Sequence, residues 1–297
     1  MSTSPRTTPP PPYAPLPQDP AETSGGHVLD NAAWASMSGA HRHLAEFVGR
    51  AGRYRRDVSP FVAVADTADP RAWADLATLI GPGNTFTVAG VAELPEGWTG
   101  GDAIPGVQLV ATTLRGELDP EAVPLGPADV PEMLDLVERT RPGPFLPATV
   151  EMGAYVGIRR EGALVAMAGE RLHPPGWTEI SAVCTDPAYR GQGLATRLIR
   201  HVAAGIGARG DTPFLHAAAA NTSAVKLYES IGFTLRRTTV FRLVRVPDLD
   251  ADRTTAPPDP SAGATPAAPP STSAAPAAAP GAVSGPVPRP SSTLDAR

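Results

Sequence analysis

YRGQGLATRLIRHVAAGIGARG, residues 189–210, carries the reading on which the rest depends. It follows WTEISAVCTDP (177–187), whose β-branched and apolar residues read as a strand. Leu194, Leu198, Ile199, Val202 and Ile206 then recur at helical spacing. Gly191 and Gly193 therefore sit in a turn between a strand and the first turn of a helix. Two residues without Cβ let a polyanion approach the backbone, and the unpaired amides of the helix start point toward it. No Gly-Lys-Ser/Thr follows, which excludes the nucleotide P-loop. Thr196 stands where the dinucleotide fingerprint needs its third glycine. Spacing alone thus yields a phosphate site of unspecified kind.

Downstream, PFLHAAAA (213–220) reads as a strand. Residues 222–231 read as a short helix capped by Asn221 or Thr222 and stopped by Gly232. FTLRRTTVFRLVRV (233–246) reads as two strands or a bent hairpin. Upstream, GAYVGIRR and ALVAMAGERL flank Glu161-Gly162 and predict a β-hairpin. A bulge in 177–185 would shift the alternation that puts Thr178, Ile180, Ala182 and Cys184 on one face. Before it, Asp129 and Glu132 suggest a capping box on a helix with Val130, Met133, Leu134 and Val137 inward.

The segment 27–115 is mixed α/β. Trp34, Met37, Leu44, Phe47 and Val48 predict one helix or two short ones. FVAVA, TFTVAG and VQLVATTL read as strands, and Asp69-Pro70 starts a helix that ends at Gly81. His41 and His43, two apart on the expected helix, point to different faces and are read as surface or capping residues.

Composition bounds the class. The chain has 297 residues, 25 basic and 30 acidic side chains and a net charge of -5, which disfavours a phosphate-gripping nucleic-acid binder. Cys184 is the only cysteine, so no intrachain disulfide and no all-cysteine metal site can form. There is no run of 18 apolar residues and no apolar leader. A cytoplasmic protein without nucleic-acid or membrane partners is expected. Most of the 36 prolines are concentrated outside the middle of the chain: eight fall in the first 20 positions and 11 from Pro257 on. Residues 1–26 and 248–297 are therefore expected to be disordered flanks.

Arg190-Gly191-Gln192-Gly193-Leu194-Ala195 matches Q/R-x-x-G-x-G/A, and Asn221, Ala224, Leu227, Tyr228, Gly232 and Phe233 form a second signature. Together they resemble the GCN5-related N-acetyltransferase (GNAT) superfamily, in its FR47-like branch. The resemblance covers 119–247 and implies the acyl-CoA N-acyltransferase fold: α/β (α+β), a mixed, mostly antiparallel sheet flanked by helices. Residues 27–118 would be an additional N-terminal α/β region, whose element order permits a degenerate copy of the same fold.

The resemblance also implies roles. Acetyl-CoA would be the co-substrate and no metal would be needed. Backbone groups at Val183, Cys184 and Thr185 would hold the pantetheine arm. Arg190, Gly191, Gln192, Gly193, Leu194 and Ala195 would seat the pyrophosphate, with Asn221 fixing cofactor or helix geometry. Tyr228 would contact the cofactor and protonate the departing thiolate; a phenol near ~10 matches a thiol near ~8.5 well enough to donate. A bulge amide near Val183 or Cys184 would polarise the carbonyl. Glu179 is the candidate base, with Glu151 and Glu170 as rivals. His216 and the Cys184 side chain are read as structural. The acceptor would be a small-molecule or peptide amine, bound by a monomer or homodimer. A non-catalytic acyl-CoA-binding module on the same fold is the competing reading.

Overall fold

The computed structural model describes residues 26–248. The two proline-rich flanks lie outside them, apart from their boundary residues. The chain enters through a 3-10 turn and α1 (Ala32–Ser38), then forms β1 (Ala45–Val48), β2 (Ala51–Tyr54) and β3 (Val62–Val64). These three strands make a small antiparallel sheet. Here the sequence reading needs correction. Leu44, Phe47 and Val48 do not continue a helix, because Gly49 turns the chain at φ 50° and folds β1 back on β2. α2 (Pro70–Ile80) begins as expected: the Asp69 carboxylate accepts from the Arg71 amide, and Pro70 needs no partner at the first position.

A larger sheet follows: β4 (Thr85–Ala89), β5 (Thr99–Gly100), β6 (Ile104–Ala111), β7 (Val123–Leu125), β8 (Tyr155–Arg160), β9 (Ala163–Glu170), β10 (Trp177–Thr185), β11 (Thr212–Ala218) and β12 (Phe233–Arg245). Helices α3 (Val130–Thr140), α4 (Leu194–Ala208) and α5 (Thr222–Ile231) complete the set. Strand order is β4-β12-β6-β11-β10-β9-β8-β7, with β5 also on β12. Only β10 and β11 run parallel among these neighbours. Residues 233–245 form one long strand with a register shift between Leu235 and Arg237, and not a hairpin. Its neighbour inside the sheet is β6, which slots between β11 and β12 and pairs with both. The sheet therefore runs across residue 118, with β4, β5 and β6 before it and β7 to β12 after it.

The two faces bury different layers. Ile158, Ile180 and Leu215 pack with Leu198, Ile199 and Val202 of α4. On the other face, Tyr155, Leu164 and Met167 pack with Met133 and Leu136 of α3. Further along that second face, Phe214 and Val110 meet Leu29, Met37, Tyr54 and Phe61 of the N-terminal region. Asp129 does not close a capping box on α3. Its carboxylate instead accepts from the Gly126 amide and from Arg159, which also takes Glu132. The expected surface role of His41 is also overturned. It lies in a turn and not on a helix, it is buried, and Met152 O lies 2.9 Å from its Nε2.

Candidate active site

The site grows from one local event in β10. Ala182 adopts φ 52°, and the pairing with β9 shifts between Ser181 and Cys184. This bulge inserts an extra residue and exchanges the faces. Ile180 packs toward α4, whereas Ala182 and Cys184 pack toward α3, and Val183 now leans on the α4 side. The Cys184 thiol is buried, which pushes its pKa up to about 11. It is a small hydrophobe and no nucleophile.

The second event is a separation. β10 pairs with β11 only at Trp177–Glu179 against Thr212–Phe214. Beyond that point the parallel neighbours part. The β11-facing edge of 180–185 then has no strand partner among the described residues. A parallel ladder that opens this way leaves a slot lined by unpaired peptide groups, suited to an extended amide-bearing chain.

At its end the chain reaches the glycine turn. Gly191 and Gly193 have φ 78° and 73°, and Gly193 is the N-cap of α4. A Cβ at either would meet nothing within 4 Å, so the space above the turn is open. Leu194 is buried and anchors the helix start. Gly191, Gln192 and Gly193 are exposed, Ala195 is half-buried, and the first-turn amides of α4 have no partner within the helix. Arg190 is exposed, and its Nε donates to Thr185 O at 3.4 Å. The exposed turn thus sets an arginine beside free helix-start amides, a positively biased surface whose chemistry suits an anion. Asn221 caps α5, its side chain accepting from the Ala224 amide, and is itself exposed. Tyr228 lies on α5 against the same core as Val183, Ala217 and Ala219, edge-on to Phe233. Burial raises its pKa.

Glu179 is fully buried beside the point of separation. Arg171 grips it with both Nε and Nη2 (2.8 and 2.6 Å), and His216 Nδ1 lies 2.7 Å from the same carboxylate. Burial alone would push this carboxyl up, but the Arg171 guanidinium and the His216 bond overcome it and hold the pKa at about 2. A carboxylate so stabilised is a poor proton acceptor near neutrality. Glu170 is buried too, under Arg209 at 2.7 Å and the Ala154 amide. Glu151 is exposed and paired with Arg55.

The chain of contacts continues past Glu179. His216 Nε2 lies 3.0 Å from Gln108 Nε2, on the directly opposed residue of β6. Gln108 also donates to Leu29 O and accepts from Arg236, which pairs with Asp30. His216, Gln108 and Arg171 line a cavity of about 40 Å³ with Phe61, Arg237 and Phe241. Sequence reasoning missed Arg171 and Gln108. Their signal was a polar side chain at an inward position of an otherwise apolar strand or strand end.

Comparisons with known proteins bear on this arrangement. Residues 155–242 match the model of the family described as FR47-like protein. A solved structure from Novosphingobium aromaticivorans, assigned to the GNAT acetyltransferases, is 41% identical with a TM-score of 0.67; the match covers 74% of this chain and 99% of that one. The N-alpha-acetyltransferase RimI of Mycobacterium tuberculosis is 41% identical over 103 residues, 33% of this chain and 61% of that protein. An uncharacterized protein of Mycobacterium leprae is 40% identical over 84 residues, 27% of this chain and 22% of its own length. The mixed sheet and its flanking helices have the fold of a GNAT acetyltransferase. The chain belongs to the GNAT acetyltransferases.

Proposed function

We propose that this protein transfers the acetyl group of acetyl-CoA to a primary amine by direct attack. The observation that carries the reading is the parting of β10 from β11 after Glu179 and Phe214, in line with the open turn at Gly191–Gly193. The freed edge at Val183, Cys184 and Thr185 would receive the pantetheine amides. The amides of Gly191 to Ala195, with Arg190, would hold the pyrophosphate. Acetyl-CoA supplies the activated acyl group; the remaining work belongs to the chain. A backbone amide at the Ala182–Cys184 bulge donates to the carbonyl oxygen as charge builds there. Tyr228 donates its proton to the departing sulfur. A phenol is protonated at neutral pH without any shift; burial raises its pKa further and weakens it as an acid, so it gives up its proton only as charge builds on the sulfur. Glu179 serves the site through its ion pair and not as the base.

The acceptor is a small-molecule or peptide amine. RimI, by its name, acts on an N-alpha amine, and that class is the first to try. The test is thiol release from acetyl-CoA across amines including peptide N-termini, for wild type and Tyr228→Phe. Wild-type release with at least one amine, cut about 100-fold or more in the variant, supports the reading. CoA binding without release for any amine would instead make the protein an acyl-CoA-binding module.

A further inference from the structure

The cavity of about 40 Å³ lies where the N-terminal region, through residues 29–33 and 61–64, closes over β6, β11 and β12. No residue of β10, of the glycine turn or of α5 lines it, so it is a different place from the cofactor slot. A space of that size holds about three water-sized groups. Leu29, Phe61 and Phe241 give it apolar walls. Its polar walls carry hydrogen-bond donors that the protein leaves unused.

Arg171 is only 9% exposed, yet one end of it is uncommitted. Its Nε and Nη2 grip Glu179, and its Nη1 has no hydrogen-bond partner among the described residues. That nitrogen is not sealed in, so it opens on the cavity that the arginine lines. A guanidinium N–H without an acceptor in so buried a place is costly, and an anion would relieve it. Thr239 supplies a second free donor. Its Oγ1 has no partner among the described residues and lies 3.9 Å from where a Cβ on Gly90, another lining residue, would stand. At the mouth, Arg236 and Arg237 both close on Asp30 Oδ1, at 2.8 and 2.7 Å. Two guanidinium groups on one carboxylate leave one positive charge over, whereas Glu179 balances Arg171. Gln108 donates to Leu29 O and sets its amide nitrogen 3.0 Å from His216 Nε2, so that ring nitrogen accepts and the imidazole is neutral. The lining therefore carries a single surplus positive charge.

We propose that this cavity is a binding site for a short-chain monocarboxylate. Arg171 Nη1, Arg237 and Thr239 Oγ1 hold the carboxylate, and the alkyl end lies against Phe61 and Phe241. One negative charge meets one surplus positive charge. A planar pair of oxygens accepts from two arginine groups better than a single-atom anion does. Two oxygens and a methyl group, as in acetate, fill three water-sized places. Phosphate brings more charge and more bulk than the lining matches. An occupant ties Arg171, and through it Glu179 at the parting of β10 and β11, to β12 and the N-terminal region. Because this arrangement exists only in the folded chain, the ligand stabilises it by mass action. The site stands whether or not the chain is an acetyltransferase.

Acetate is the probe. A titration of the full chain followed by ¹³C-acetate line widths should give a Kd on the order of 1 mM, reasonable for so small a ligand. Acetamide, the same shape without the charge, should not bind, and inorganic phosphate should bind at least about tenfold more weakly. Arg237→Gln should weaken acetate about tenfold and Thr239→Val about fivefold. Saturating CoA and Gly193→Glu should leave acetate binding unchanged, because the glycine turn is the other surface suited to an anion. Where a variant does not fold, urea unfolding of the wild type decides: about 20 mM acetate should raise the midpoint, and acetamide, or chloride at equal ionic strength, should not. Absent binding, equal binding of acetamide or phosphate, unchanged affinity in both folded variants, or displacement by CoA each overturn the site. None of these outcomes touches thiol release, which tests the acetyltransferase reading separately.

Discussion

Gly193 concentrates the cofactor argument in one residue. At φ 73° it adopts a backbone conformation that costs most L-residues energy, and a Cβ there would project into open space. The positive φ already favours glycine, and the open space above it leaves the backbone accessible to a ligand. Gly193→Glu would place a carboxylate among the amides meant for a diphosphate. Calorimetry should show CoA affinity down by more than about tenfold with an unchanged circular dichroism spectrum. Unaltered affinity in a folded variant moves the phosphate site elsewhere. The single substitution Tyr228→Phe tests the other end of the cofactor in the same way, through rate and not affinity.

The bulge in β10 is the element on which the site turns. Ala182 sits at φ 52°, a left-handed backbone that β-branched residues strongly avoid. Ala182→Val should cost about 2 kcal/mol in urea unfolding, and Ala182→Gly should cost less than about 1. Equal losses in the two variants would show that side-chain packing, and not backbone geometry, holds the bulge. The sequence announced this region well. The glycine pair and the Asn221 cap are local signals, and each survives into the fold; the alternation over 177–185 shows no break in the sequence, and the bulge appears only in the pairing with β9. Signals that depend on distant partners did not carry. β6 inserts between β11 and β12, so 233–245 has no need to fold back on itself, and no local pattern records that a neighbour arrives from 104–111. Glu179 looked available for proton transfer because its partners Arg171 and His216 come from the end of another strand and from β11. Leu44, Phe47 and Val48 keep a helical spacing, yet Ala45–Val48 forms a strand because the turn at Gly49 folds it back onto β2, a pairing the spacing does not record.

At the scale of the whole molecule, the N-terminal region is tied to the catalytic sheet by buried titratable groups, which makes stability depend on pH. His41 Nε2 donates to Met152 O, and its Nδ1 lies 3.0 Å from Ser36 Oγ and 3.1 Å from Tyr54 OH. Ser36 in turn accepts from the His173 amide. Burial, with the nearby charge of His173, lowers the His41 pKa to about 4, and burial lowers that of His173. An unfolded imidazole titrates near ~6.5. Between that value and 4 the unfolded chain binds a proton that the folded chain refuses, so stability is full above the window and falls as pH drops through it. His41 alone would remove up to about 3 kcal/mol by pH 4. Glu179 acts lower down: its depressed pKa of about 2 gives stability that is present above ~4.5 and lost as pH falls toward 2. Urea unfolding at pH 7, 6 and 5 should therefore show a steady decline in wild type before any carboxylate contributes. His41→Gln should start less stable at pH 7, through its lost hydrogen bonds, yet decline less between pH 7 and 5. A flat wild-type profile over that range, or parallel declines in the two proteins, would remove His41 as the group that couples the N-terminal region to pH.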